Sequence, residues 1–301
     1  VASAKDWLRL VRAPLGLTAA FDVVACAALA RGPGLGDGAP ALAAPDALLL
    51  AATSVLVYFA GMAGNDLADR GRDRTLHPDR PLPAGRIAPG AALALVVVLA
   101  AGAAALGGGP AGSRVAVLAA LGAAALYDGG AKRRAVPGAL AMGLVRASNA
   151  ATGVVPLVAA GLASPLALLA PLLVGAYSAG VTYLSTAEDR PAREARTRLV
   201  GRAATVVAFG GGGALALVGA GGVAFTPLFA FPVVLSAVFD RVPRKGPVKR
   251  QVLEMLLGLY WLDAVLVGGA APGSSWVLAL GAIAAAWAAI VLSQLAIRAL
   301  R

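Results

Sequence analysis

Nine consecutive residues, Asn65-Asp66-Leu67-Ala68-Asp69-Arg70-Gly71-Arg72-Asp73, bring four acidic or amide side chains together in a chain with only 15 acidic residues. They begin where the apolar segment Ala47 to Gly64 ends, which sets the carboxylates at the edge of a hydrophobic span. Positions 65, 69 and 73 are stepped by four, and on a helix each such step turns by only about 40°. Asn65, Asp69 and Asp73 then share a face, although Gly71 is expected to unwind the last turn and leave Asp73 on the loop. Hard oxygen donors in this pattern suit Mg²⁺, which takes one or two carboxylates, waters and the phosphate oxygens of a substrate. Asn65 and Asp69 are the first-choice ligands, with Asp66 and Asp73 acting directly or through water. The plain alternative is a solvated cap on a membrane helix, and the scarcity of acids elsewhere in the chain weighs against it.

The elements that must hold these groups are membrane helices. The 301 residues are 59% hydrophobic and only 14% charged, with a mean hydropathy of +0.80, more apolar sequence than a water-soluble core absorbs. Ten stretches reach the length that crosses a bilayer: 14–30, 47–64, 89–107, 114–128, 138–161, 165–186, 199–220, 223–239, 249–269 and 274–297. An all-α, polytopic bundle of nine or ten helices around a central cavity is expected, as one integral-membrane domain over 1–301. Thr226-Pro227 and Phe231-Pro232 make the eighth stretch the weakest. Lys5, Arg9 and Arg12 before the first apolar run imitate a signal peptide, but Asp22 inside the run and the many later spans favour a retained helix.

The net charge of +11 does not point to nucleic acid. Of 26 lysines and arginines, 23 fall in 1–13, 65–88, 129–137, 187–203, 241–250 and 298–301, while only Arg31 and Arg114 fall in the alternate loops. That asymmetry is the positive-inside pattern; it expects both termini and the Asn65–Asp73 loop on the cytoplasmic side of an inner membrane. The single Cys26 provides no disulfide framework, and the glycine runs at 107–109 and 210–213 read as helix packing.

The segment after the first cluster, Arg74-Thr75-Leu76-His77-Pro78-Asp79-Arg80-Pro81-Leu82-Pro83-Ala84-Gly85-Arg86-Ile87, completes a linked pattern. Asn-Asp-x-x-Asp-x-x-x-Asp followed by Arg-Pro-x-x-x-Gly-x-Ile resembles the UbiA superfamily of intramembrane prenyltransferases. The resemblance implies a helical bundle in which Mg²⁺ bridges acidic loops to an isoprenyl diphosphate, whose prenyl group passes to a small-molecule acceptor as pyrophosphate leaves. It implies roles in this chain for Asn65, Asp66, Asp69 and Asp73, and for Arg80 and Arg12 as diphosphate or substrate contacts. Tyr127-Asp128-Gly129-Gly130-Ala131-Lys132-Arg133 is similar to the family's Tyr and Lys-Arg loop, with Lys132 neutralising diphosphate and Asp128 orienting it or touching the acceptor. His77, the only histidine, reads as incidental.

The second acidic loop departs from the family pattern. Where many members have Asp-x-x-x-Asp, this chain has Ser185-x-x-x-Asp189 with Glu188 beside it. Glu188 and Asp189 are candidate metal ligands, and one carboxylate of the usual pair is missing, so one or two metals are both open.

Arg146 and Asn149 lie inside the fifth stretch on one helix face. A charge there is costly unless it meets a polar cavity or a partner. They are read as acceptor or diphosphate contacts, with the intramembrane Asp22 and Asp263 as the partners of a purely structural alternative; Asp22 joins the substrate-binding candidates. The segments around Tyr127, Gly143 to Asn149, Ser185 to Glu188 and Leu262-Asp263 look most like the EboC-type branch, which implies a cyclitol or polyol acceptor rather than an aromatic one. A transporter fits the intramembrane charges but leaves the metal-like spacing unexplained. A CDP-alcohol phosphatidyltransferase would need a downstream acid pair that is absent near Arg146. No nucleic acid and no obligate protein partner are expected.

Overall fold

The computed structural model describes residues 2–109, 111–189, 194–219, 248–270 and 276–300; the side chains of 189, 194 and 276–280 are not part of that description. Every regular element among them is helical. A short amphipathic α1 (Ala4–Leu10) precedes α2 (Gly16–Ala30), α3 (Ala44–Leu76), α4 (Pro89–Leu106), α5 (Arg114–Gly129) and α6 (Ala135–Ala150). After a five-residue α7 (Val155–Ala159) come α8 (Leu169–Asp189), α9 (Glu194–Gly219), α10 (Val248–Gly268) and α11 (Trp276–Leu300). Seven segments of this set are long and apolar enough to cross a membrane. The expected span at 223–239 lies outside the described residues.

The second span is longer than hydropathy indicates. Helix α3 runs 33 residues, about 50 Å at 1.5 Å per residue, while the hydrocarbon core measures about 30 Å. Its C-terminal part therefore projects beyond the apolar layer and carries Asn65 to Asp73 as one continuous helix. Gly71 does not unwind it. The helix stops at His77, whose N–H still bonds the Asp73 carbonyl at 2.9 Å, because Pro78 follows and disfavours a helical residue before it.

The fifth span is shorter than expected. Rather than one segment over 138–161, α6 ends at Ala150, a 3₁₀ turn covers Ala151–Gly153, and α7 restarts with Pro156 in its first turn. A proline has no N–H to give to an established ladder, so it resets the helix. Gly153 is needed at the break: a Cβ there would stand 2.8 Å from the Ala27 methyl of α2.

Small residues set the spacing of the inner helices, as membrane packing requires. On α6 and α8, Gly143 and Gly175 face one another so closely that a Cβ on either would meet the other's carbonyl oxygen at 2.8 or 2.7 Å. The contacts of Gly143 with Ala179, and of Ala147 with Gly175, fix the two helices as antiparallel. Helix α10 is the most enclosed, burying Leu259, Tyr260, Leu262, Asp263 and Leu266; Tyr177 of α8 donates to its Met255 carbonyl at 2.8 Å. At the periphery α4 buries only Ala92 and Ala103. Val98, Val115 and Leu140 are each more than 60% exposed, the outward apolar belt of a protein solvated by lipid.

Candidate active site

One cavity of about 430 Å³ opens between α2, α3, α5, α6 and α8. Along α3 its wall is built by Tyr58, Met62, Asn65, Asp69 and Asp73, positions three or four apart that form one helix face. Helix α6 runs back along the opposite side, from Ala135 near the charged end to Arg146 and Asn149 at the far end, and α8 contributes Ser178, Thr182, Ser185 and Glu188.

At the charged end a bonded cluster ties α3 to the end of α5. Asn65 Nδ2 donates to Asp128 Oδ1 at 2.8 Å. Lys132, on the 3₁₀ turn Ala131–Arg133, reaches Asp69 Oδ2 at 2.9 Å and Asp128 Oδ1 at 3.1 Å, and its ammonium stands 5.8 Å from the Tyr127 ring centroid. Gly130 adopts φ +152°, which lets the chain turn so that Lys132 returns over Asp128.

A second cluster holds two arginines. Asp66, 3% exposed, lies off the cavity wall and accepts from Arg12 Nη2 at 3.0 Å and from Arg80 Nη1 at 3.4 Å. Arg80 also donates to Asp73 Oδ2 at 2.6 Å. Asp66 is therefore a floor beneath Arg12 and Arg80, both of which line the cavity. Arg12 itself sits at φ 49°, the one positive-φ residue other than glycine among those described, a conformation that costs roughly 1–2 kcal/mol for a residue with a Cβ. The turn it makes between α1 and α2 aims its guanidinium at Asp66.

The loop bearing Arg80 is braced from α1. Arg86 donates to Asp6 Oδ1 at 2.7 Å and to the Asp79 carbonyl at 2.6 Å. Asp6 also accepts from the Ser3 N–H at 3.0 Å and the Ser3 hydroxyl at 2.7 Å. These bonds, the Ser3 backbone first, hold its carboxyl down to about 2.

At the far end Arg146 donates to Asp22 at 2.6 Å and to the Thr18 hydroxyl at 2.6 Å. Asp22 is fully buried behind Arg146 and is absent from the cavity wall; Asp263 stands beside it. Asn149 donates from Nδ2 to Ser54 Oγ at 2.6 Å.

The candidates from sequence thus separate. Asn65, Asp69, Asp73, Arg80, Asp128, Lys132, Arg12, Arg146, Asn149 and Glu188 all line the one cavity, while Asp66 and Asp22 stand behind it. Asp189 ends α8 and its side chain lies outside the described residues. The sequence reading missed Thr18, Tyr58, Ser178 and Thr182. Tyr58 lies seven residues before Asn65, and Ser178 and Thr182 lie seven and three before Ser185, so extending each motif backward along its own helix face finds them.

Among the described residues no three His, Cys, Asp or Glu side chains stand close enough to enclose a metal ion. The donor chemistry nonetheless fits Mg²⁺: Asn65, Asp69, Asp73 and Asp128 present hard oxygens to one cavity end, and Mg²⁺ is commonly held by one or two carboxylates with waters and substrate phosphates rather than by an all-protein cage.

A helical membrane bundle with a charged cavity end is the class of protein that fold and site define. The UbiA prenyltransferase family matches residues 23–243, and the chain belongs to that family. Solved structures share the fold. A UbiA homolog from Aeropyrum pernix K1 in its apo form aligns with TM-score 0.61 at 22% identity, over 85% of this chain and 98% of that one. A UbiA homolog from Archaeoglobus fulgidus bound to DMAPP and Mg²⁺ aligns with TM-score 0.51 at 14% identity, over 87% and 99%. A digeranylgeranylglyceryl phosphate synthase aligns with TM-score 0.51 at 16% identity, over 97% and 96%. No curated protein sequence gives a significant match.

Proposed function

We propose that this protein transfers an isoprenyl group from an isoprenyl diphosphate to a small-molecule acceptor in a Mg²⁺-dependent reaction that releases pyrophosphate. The observation that carries the reading is the cavity itself, in which Asp69, Asp73, Asp128, Lys132 and Arg80 converge at one end while Val57, Met62, Ala139, Met142 and Val145 line the space beyond. A phosphate-directed charge cluster beside an apolar passage matches an amphiphilic donor. Family membership and the relatives bound to GPP or DMAPP with Mg²⁺ support it.

In this reading Asn65, Asp69 and Asp73, with Asp128 and Glu188 on the same cavity wall, would hold the metal. Mg²⁺ supplies neutralisation of the charge that grows on the departing diphosphate. Lys132 and Arg80 give the same oxygens charge-assisted hydrogen bonds, Arg80 through a planar fork. Asp66 acts as a positioning residue, keeping Arg80 and Arg12 on the wall. The C1–O bond of the allylic donor breaks with its electron pair going to pyrophosphate; C1 bonds to the acceptor nucleophile, whose proton passes to the released pyrophosphate. The missing carboxylate at Ser185 leaves α3 with the larger part of metal binding. The loop charges support an orientation with this end of the bundle on the cytoplasmic side.

The test is GPP binding and pyrophosphate release by purified protein in detergent. Wild type is expected to bind GPP only with Mg²⁺, and Asn65→Ala and Asp69→Ala proteins of unchanged melting temperature to lose both. Pyrophosphate release by those variants at the wild-type rate, or solute flux through proteoliposomes without any diphosphate, would sink the assignment.

A further inference from the structure

Arg12 combines a strained backbone with a side chain on the cavity wall. A left-handed residue that has a Cβ persists only where its surroundings over-determine it, and such residues gather at ligand clamps. Glycine would take φ 49° without strain but supplies no guanidinium. The strain therefore directs attention to whatever holds the turn.

That turn is stiff and is gripped from two sides. The Leu15 N–H bonds the Arg12 carbonyl at 3.0 Å and starts the 3₁₀ turn Ala13–Leu15, in which Pro14 fixes its own φ and narrows the choices of Ala13. On the α3 side Arg12 bonds Asp66, and Gly16 lies so near that a Cβ on it would stand 2.8 Å from the Phe59 ring. On the other side stands α11, none of whose described residues lines the cavity. Its Ser293, 1% exposed, donates from Oγ to the Pro14 carbonyl at 3.0 Å.

The direction of the next bond follows. A carbonyl only accepts, so the Pro14 bond uses the one proton of Ser293. The Tyr260 hydroxyl of α10, 3.0 Å from Ser293 Oγ, is then the donor to it. Tyr260 is fully buried, with its ring edge-on to Phe21 of α2 at 5.2 Å between centroids. A directed chain thus runs from Tyr260 through Ser293 to a carbonyl two residues from Arg12. Packing α10 against α11 needs no hydroxyl, and hydroxyls buried in a membrane helix are costly unless bonded. What the two hydroxyls add is a grip on the turn.

We infer that Ser293 and Tyr260 are positioning residues that press the Arg12 turn toward α3 and so set the Arg12 guanidinium for the diphosphate of the donor. This rests on the prenyl-transfer reading and deepens it by naming the residues through which Arg12 acts. Two helices that put no group on the phosphate would thereby tune its binding.

The experiment is titration of purified protein in detergent with GPP and Mg²⁺, alongside thermal unfolding. Arg12→Gln is expected to weaken GPP binding about tenfold, and Ser293→Ala or Tyr260→Phe about fivefold each. Ser293→Thr, which keeps the hydroxyl, should restore wild-type affinity. The deciding measurement is the double variant: Ser293→Ala added to Arg12→Gln should cause no further loss, because the serine acts only through the arginine. A fivefold loss that persists in the Arg12→Gln background assigns Ser293 to the general fold and overturns the inference. So does unchanged GPP affinity in Arg12→Gln, or in both Ser293→Ala and Tyr260→Phe, and so does failure of both of these variants to fold. Failure of wild type to bind GPP would instead remove the prenyl-transfer reading.

Discussion

Asp66 shows how much of the site is support rather than contact. Its sequence neighbours Asn65 and Asp69 line the cavity, yet Asp66 faces away and ties Arg12 to Arg80. Asp66→Asn keeps the shape and removes the charge, leaving two arginines crowded without their shared anion. The expected result is a lower melting temperature and a GPP affinity weakened about tenfold, since hydrogen bonds to a charged partner contribute roughly 1.5–3 kcal/mol; isothermal titration with GPP and Mg²⁺ checks it. Asp6 gives a pH prediction. Its carboxyl is held at about 2, below the ordinary 3.8, so its ionised bonds to Ser3 and Arg86 add stability above the ordinary value that is lost as pH falls through about 2. Ser3→Ala removes the hydroxyl donor, and the acid loss of folded protein, followed by thermal unfolding in detergent, should move to higher pH.

At the scale of elements, α3 is the rod on which the site is built. Its beginning and its chemistry are legible from sequence, because four-residue spacing survives any choice of boundary. Its length is not, because hydropathy reports immersion in lipid, and a helix that leaves the membrane remains a helix. A Cβ built on Gly71 meets nothing within 4 Å beyond its own chain neighbours and helix backbone. Gly71→Ala is therefore expected to raise stability by about 0.4–1 kcal/mol with pyrophosphate release unchanged; a fall in release would mean that the turn must open during the reaction. The break after α6 was hidden in a stretch long enough to read as one span, and only Gly153 and Pro156 mark it. The close α6–α8 approach makes another prediction. Gly175→Val places a branched side chain against the Gly143 carbonyl and the Ala147 methyl; overpacking costs typically 1–3 kcal/mol, and the splayed helices should show lower melting temperature and impaired transfer together.

For the whole molecule, the sequence disclosed the class, the family resemblance and most of the charged residues that line the cavity, since lipid imposes long apolar runs and charged groups stand out against them. Arg146 with Asp22 was within reach, because a charge inside a span calls for a partner. What the sequence withheld are pairings such as Arg12 with Asp66 and Asn149 with Ser54, which join residues 54 and 95 positions apart. No periodicity encodes such contacts; they exist only once the bundle has closed. The loop charges do predict sidedness. On a Cys26→Ala background, a cysteine placed at Asp79 should react with a membrane-impermeant maleimide in inside-out vesicles and not in intact cells stripped of their outer layer; the reverse labelling would invert the assigned orientation.

The ion pairs at the charged end have a consequence for the order of events. Lys132 lies against Asp69 and Asp128, and Arg80 against Asp73, so the carboxylates and cations satisfy one another. A metal ion entering alone must displace ammonium and guanidinium from their carboxylates and leave those cations stranded. A diphosphate entering alone must draw the same cations away and leave the carboxylates facing its own charge. If the site takes Mg²⁺ and a diphosphate as proposed, each would relieve the cost imposed by the other, and the salt bridges would favour the two arriving as a pair over either alone.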